Sequence, residues 1–236
     1  AGTAAATPKS GASGQTITAS DSWVNTTSGL EILKYTGTGS NAKVGHNLAA
    51  KPDLIIFKRL NATENWNSYH SAISATKIVA LNSNGAAADT DDFQDTEPTN
   101  DVFSIGTGSG NNGNNDTYLA LAWTAIPGYS AFGKYSGNGD ANGTFVYTGF
   151  RPKWIVYKRF TDGSEAWQYY DAARSPYNQR ALRFNHTSAA EHGGNGVDIL
   201  SNGFKLRSAD SADNASNKEY LYAAFAEYPF KISRAN

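Results

Sequence analysis

The chain has 236 residues, 39% of them hydrophobic, 12% aromatic and only 17% charged, with a formal net charge of −1. This length can bury one large or two modest cores, the composition is unlike that of a helical bundle or coiled coil, and the near-neutral charge, with no Lys/Arg run longer than two, lacks the basic footprint that phosphate backbones require. Cysteine and methionine are both absent, which excludes disulfides, thiol chemistry and Cys-ligated metals.

In chain order, residues 1–30 are small and polar, and read as an extended N-terminal arm or linker that docks through Trp23. Strand signals then begin. Ile32-Leu33-Lys34-Tyr35 precedes a glycine turn at Gly37–Gly39, and Leu54 to Arg59 is an apolar run after Pro52. Asn61-Ala62-Thr63-Glu64 turns that run back into Trp66-Asn67-Ser68-Tyr69. Lys77 to Leu81, Val102 to Ile105 and Tyr118 to Trp123 follow as further strands. The last is rich in Ala and Leu, but a lone six-residue helix nucleates poorly whereas a six-residue central strand is ordinary.

The same text then repeats, about 100 residues on. Lys34-Tyr35-Thr36-Gly37-Thr38-Gly39 returns as Lys134-Tyr135-Ser136-Gly137-Asn138-Gly139, and Leu54 to Arg59 as Trp154 to Arg159. The turn returns as Thr161-Asp162-Gly163-Ser164, Trp66 as Trp167, Phe103 as Phe204, and Tyr118-Leu119 as Tyr220-Leu221. Short strands separated by Gly, Asn, Ser and Asp loops spell β-sandwiches. We therefore expect an all-β protein of two tandem, structurally similar antiparallel β-sandwich units, 31–127 and 128–236, behind the extended N-terminal arm of residues 1–30.

Aromatic side chains just after the shared hairpin are the candidate binding surface: Trp66, Tyr69, Trp167, Tyr169 and Tyr170, with Tyr177 beyond. Sugar rings stack their C–H faces on such groups while flanking amides, here Asn65, Asn67 and Gln168, take the hydroxyls. The plainer reading puts Trp66 and Trp167 at one shared core position, and expects Tyr147, Tyr170 and Tyr177 outside. Asp89, Asp91, Asp92 and Asp95, with Glu97, form a dense acidic loop whose hard oxygens could hold Ca²⁺. Phe93 stands where a third ligand belongs and no glycine follows, so a solvated loop is preferred and no cofactor is expected. His186, Glu191 and His192 replace this run in the second copy, with a spacing that suits no zinc geometry. Glu64 and Glu165 are equivalent carboxylates that would serve glycoside hydrolysis only if brought together across a cleft. The Lys58-Arg59 and Lys158-Arg159 pairs read as solvated strand ends. Gly106 to Gly113 lacks the following helix and Lys-Ser/Thr of a phosphate cradle.

Several motifs together carry a resemblance: Tyr35 to Leu48, the Gly128 to Gly139 joint, Phe145 to Pro152, Leu200 to Arg207, and Ala226 to Ser233. Across about residues 30 to 234 the chain resembles a duplicated module of uncharacterised function from the C-terminal end of large virion proteins of tailed bacteriophages, notably marine ones, often behind lectin-like domains in tail fibres. The final Asn236 departs from the Arg on which relatives commonly finish. The resemblance implies a virion surface part, with other virion proteins as partners and a homo-oligomer, such as a trimer, as its state. The absence of Met leads us to expect an excerpt or processed product of a longer polypeptide.

From sequence the expected role is a non-enzymatic tail-fibre or adhesin module that binds host-surface polysaccharide, with neither nucleic acid nor membrane insertion involved. The alternatives are a capsid decoration protein anchored by its N-terminal arm and, third, a polysaccharide-degrading enzyme.

Overall fold

The computed structural model describes residues 4–163, 165–173, 180–184, 191–193 and 196–228, with 180–184 and 191–193 as backbone only. Contacts divide it into two units, one comprising Ala1–Leu81 and Ala87–Ala125, the other Asn82–Ala86 and Ile126–Asn236. Among the described residues the regular structure is all β apart from one short 3-10 turn at Ser71–Ile73. No helix among them is long and apolar enough to cross a membrane.

The first unit holds β1 (Ala4–Ala6), β2 (Asp21–Asn25), β3 (Leu30–Thr36), β4 (Ala42–Gly45), β5 (Leu54–Arg59), β6 (Asn67–His70), β7 (Lys77–Ala80), β8 (Ala88–Asp89), β9 (Val102–Ile105) and β10 (Thr117–Trp123). Eight of these form one antiparallel sheet in the order β1-β2-β3-β10-β5-β6-β7-β8, and β4 pairs with β9 in a second. Period-two alternation decides the faces. Leu33 and Tyr35 of β3, Ile55 and Phe57 of β5, and Tyr118 and Ala120 of β10 point into one core. Val44 of β4 and Phe103 and Ile105 of β9 meet them from the second sheet, so the small sheet packs over the large one. Each fully buried Phe, Leu or Ile adds about 1.5–3 kcal/mol relative to exposure. The Ala/Leu-rich run of β10 is a strand, paired on both sides, by β3 and β5.

The N-terminal segment corrects the sequence reading. It is not an arm that touches down through Trp23: β1 pairs with β2 and β2 with β3. Between them, Thr16 and Ile17 donate their backbone N–H groups to Lys43 O along β4, and Ile17 and Ala19 lie in the core. Trp23 sits on the outer face, over a third exposed. The docking residues Ile17 and Ala19 stand amid Ala, Gly, Thr and Ser, and that composition concealed them.

The second unit holds β11 (Ser130–Ser136), β12 (Phe145–Tyr147), β13 (Pro152–Arg159), β14 (Trp167–Asp171), β15 (Arg180–Phe184), β16 (Glu191–Gly193), β17 (Val197–Leu200), β18 (Gly203–Leu206) and β19 (Glu219–Ala226). Its large sheet runs β11-β19-β13-β14-β15-β16, the same order as β3-β10-β5-β6-β7-β8. Its small sheet is β12-β18-β17, with β12 and β18 in the places of β4 and β9 and β17 added. The core again joins both layers, through Tyr135, Tyr157, Tyr170, Tyr220 and Tyr222 on one side and Val146, Phe204 and Leu206 on the other. One core contact has been exchanged. Leu33 faces Ala120 across β3 and β10, whereas Gly133 faces Tyr222 across β11 and β19, where the Tyr222 ring lies against the glycine and edge-on to Phe204.

Each unit is clasped by its own side-chain network, built on the same pattern in both. Asn112 accepts from Thr38 N and donates to Ser40 O and Gly106 O. Asn214 accepts from Asn138 N and donates to Asn138 Oδ1 and Asp140 O. Tyr35 donates to Asn111 O at 2.6 Å and Tyr135 to Asp213 O at 2.7 Å. Tyr118 donates to Ser109 O and accepts from Gly113 N, and Tyr220 does the same with Ser211 O and Ala215 N. Gly37 and Gly137 are glycine because a Cβ would collide with the carbonyls of Gly113 and Ala215. The glycine-rich run 106–113 thus belongs to a backbone clasp.

Candidate functional site

The aromatic residues singled out from sequence scatter. Tyr69 and Tyr170 point into their cores, 1% and 3% exposed, and Trp167 is 3% exposed, so a sugar cannot stack on any of the three. The Tyr69 phenol donates to Glu97 Oε2 at 2.5 Å, and burial pushes its pKa upward. Tyr170 stacks on Tyr157 at 5.9 Å. Tyr169 is half-buried beside Trp154, with ring centroids 5.3 Å apart. Gln168 is buried and donates to Ala166 O. Among the described candidates only Trp66 keeps an open face, 39% exposed, with Lys58 Nζ 5.6 Å from its ring centroid. The two tryptophans therefore do not share one environment. Tyr177 lies outside the described residues, as does His186 and as do the side chains of Glu191 and His192.

The acidic loop does not gather into a metal site. Among the described residues no group of three or more His, Asp or Glu side chains converges to hold an ion. Asp89, Asp91 and Asp95 are exposed, while Asp92 is drawn inward, where burial raises its pKa. The loop is built around Phe93, which plugs the core against Phe57 and Tyr69. The Gln94 amide donates to Ala42 O and Ile105 O, pinning both strands of the small sheet.

The strand-end cations depart from the solvated expectation, fully in the second unit and partly in the first, where Lys58 and Arg59 are half-buried. Lys158 is 0% exposed and Arg159 is buried as well. Lys158 Nζ donates to Glu165 O, and Lys58 Nζ to Glu64 O, each at 2.6 Å, so each lysine latches the turn of its own hairpin. Burial lowers the Lys158 pKa to about 8. The carboxylates of Glu64 and Glu165 accept from Ser109 Oγ and Ser211 Oγ and pair with Arg59 and Arg159. These acids tie their hairpins to the clasp loops.

The exposed aromatic surface lies elsewhere. Phe145 and Tyr147 stand two residues apart on the outer face of β12, 43% and 67% exposed, with buried Val146 between them. Phe145 faces Lys205 of β18, which faces Asp198 of β17, and Asp198 accepts from Arg207 Nε at 2.5 Å. Tyr147 faces Gly203 and then Leu200. A Cβ at Gly203 would collide with Val146 O and also meet the Phe145 ring, so the glycine lets β12 approach β18 closely with the ring beside it. The face combines two aromatic rings, a lysine and an Arg–Asp ion pair. Sequence reasoning placed Tyr147 outside and missed Phe145. The signal was the comparison of copies: Lys43-Val44-Gly45 becomes Phe145-Val146-Tyr147, keeping the inward valine and replacing both outward residues with aromatics.

The family model described as a domain of unknown function (DUF7483) matches residues 2–229. The chain belongs to that family. No curated protein matches it. Among solved structures, the major capsid protein P2 of bacteriophage PM2 aligns over 85% of this chain and 100% of its own, at 10% identity and a TM-score of 0.22, below the level at which two chains share a fold.

Proposed function

We propose that this chain is a non-enzymatic virion surface module of the tail-fibre or adhesin kind, which holds host-surface polysaccharide on the Phe145–Tyr147 face of its second unit. The observation that carries the reading is the pair of exposed rings on one strand face beside Lys205 and the Asp198–Arg207 pair. Aromatic faces take the C–H surfaces of sugar rings, and the flanking charges suit sugar hydroxyls and carboxylates. Each contact is weak, and display of many copies multiplies them.

A homo-oligomer fits the same reading. Trp23, Ile32, Leu121 and Ile56 form a cross-strand apolar row on the outer face of the eight-stranded sheet, with Trp23 36% exposed and the others half-buried. An antiparallel sheet whose second face meets only water is normally polar there. The capsid decoration role remains the second reading. Its original support, a lacing arm, is weakened because residues 4–25 are built into the first unit. The enzyme reading loses ground because Glu64 and Glu165 are each held by a serine of the clasp loop and by the arginine of their own hairpin.

A glycan array probed with the intact chain and with the double variant F145A/Y147A tests the proposal. Retention of a polysaccharide ligand should fall at least about tenfold, with thermal stability almost unchanged because both side chains point outward. Glycan binding that the double variant leaves intact, or no glycan binding by the intact chain, would reject it.

A further inference from the structure

The two small sheets differ at one edge, and the difference concerns main-chain groups. In the first unit the outer edge of β4 is closed by the chain's own segment: Thr16 N and Ile17 N donate to Lys43 O, Gly45 N donates to Ile17 O, and Lys43 N donates to Thr16 Oγ1. Ile17 bridges Val44 in parallel. In the second unit Phe145, Val146 and Tyr147 take the places of Lys43, Val44 and Gly45, since Val146 faces Phe204 as Val44 faces Phe103. The next residues agree, with His46 N donating to Asp101 O and Thr148 N to Asn202 O. The N–H and C=O groups of Phe145 and Tyr147 therefore point away from β18. Among the described residues no strand pairs with that edge, because β12 ends its sheet.

We propose that this open edge of β12 is a strand-addition site for an extended segment of another polypeptide, uncharged, rich in Ser and Thr, and carrying one aliphatic residue where Ile17 sits on β4. The occupant's chemistry is read from the segment that closes the equivalent edge within this chain. Main-chain ladder bonds supply most of such binding, and alternate side chains supply selectivity. Unpaired strand edges are otherwise protected in stable proteins by charge, proline or a covering segment, and the Phe145-Val146-Tyr147 edge has no charge and no proline. One feature restricts the guest: a Cβ at Gly45 would meet the Gln15 side chain, and in the second unit Tyr147 brings its own side chain to that place. The guest strand must carry a small residue there. The site uses the backbone of β12 and is independent of glycan binding by its side chains.

The test uses the full chain, ¹⁵N-labelled, with a synthetic peptide of the sequence of residues 14–20 carrying Q15G, Gly-Gly-Thr-Ile-Thr-Ala-Ser. The Phe145 and Tyr147 amides should exchange freely in the chain alone and slow at least about tenfold at saturating peptide. A peptide with proline at the Ile17 position should give no protection. The chain variant Y147P should stay folded, because proline is accepted on an edge strand where the lost N–H faces outward, and should lose the peptide effect. Amides already protected in the free chain, peptide protection at other strands only, equal protection by the proline peptide, or undiminished binding by Y147P would each overturn the proposal.

Discussion

His46 is the residue whose chemistry couples folding to pH. It is fully buried, stacks on Phe103 at 6.2 Å, and its Nε2 donates to Thr99 O at 3.1 Å, while Nδ1 has no partner among the described residues. Burial lowers its pKa from 6.5 to about 4. Since the unfolded chain binds a proton near 6.5 and the folded chain only near 4, this group costs no stability above pH 6.5. It withdraws up to about 3 kcal/mol as pH falls from 6.5 to 4. Urea unfolding of the native chain and of H46Q across that window should show the native chain losing its advantage over the variant. An unchanged gap would mean that the imidazole is not kept neutral. At the same scale, the burial of Lys158 escaped sequence reading because a lysine at a strand end is ordinarily solvated. Here its ammonium is drawn over by the carbonyl of Glu165 across a tight turn, a contact that depends on turn geometry absent from residue type.

At the scale of elements, the pairing of β3, β10 and β5 with β11, β19 and β13 rests on a complementary exchange. Leu33 with Ala120 and Gly133 with Tyr222 fill the same strand-to-strand space with large and small residues on opposite sides. Y222A should open a cavity and cost about 3–5 kcal/mol, and G133L should drive a side chain into the Tyr222 ring at about 1–3 kcal/mol. The double variant G133L/Y222A rebuilds the first unit's solution, so chemical denaturation should find it more stable than the sum of the two losses by at least about 1 kcal/mol. Strict additivity would show that the two positions do not share one space. The hairpins and closing strands were legible because two spellings of each agreed on hydrophobic period and turn position. β17 and β2 were not legible, since each occurs in one copy and has no second spelling to confirm it.

At the scale of the whole molecule, the N-terminal thirty residues separate a reading by composition from one by pairing. A stretch of Ala, Gly, Thr and Ser resembles a linker, yet it supplies β1, β2, the closure of β4 and the core residues Ile17 and Ala19. A chain beginning at Leu30 should lose hydrogen-exchange protection across β3, β4 and β9, whereas removal of a true linker would leave all three unchanged. The candidate site was the least legible part. Burial of an aromatic residue depends on which strands lie over it, and the strand that displays Phe145 and Tyr147 is only three residues long.

The clasp residue Asn112 is followed by Gly113, the pair most prone to spontaneous deamidation, in which the glycine nitrogen attacks the neighbouring side-chain amide. In the folded chain both reactants are committed, the amide to three hydrogen bonds and the Gly113 N–H to the Tyr118 oxygen. The reaction can proceed only when the clasp opens. Conversion of Asn112 to aspartate and isoaspartate, read as a gain of one mass unit in the peptide that contains it, therefore keeps a chemical record of the time each molecule has spent unfolded.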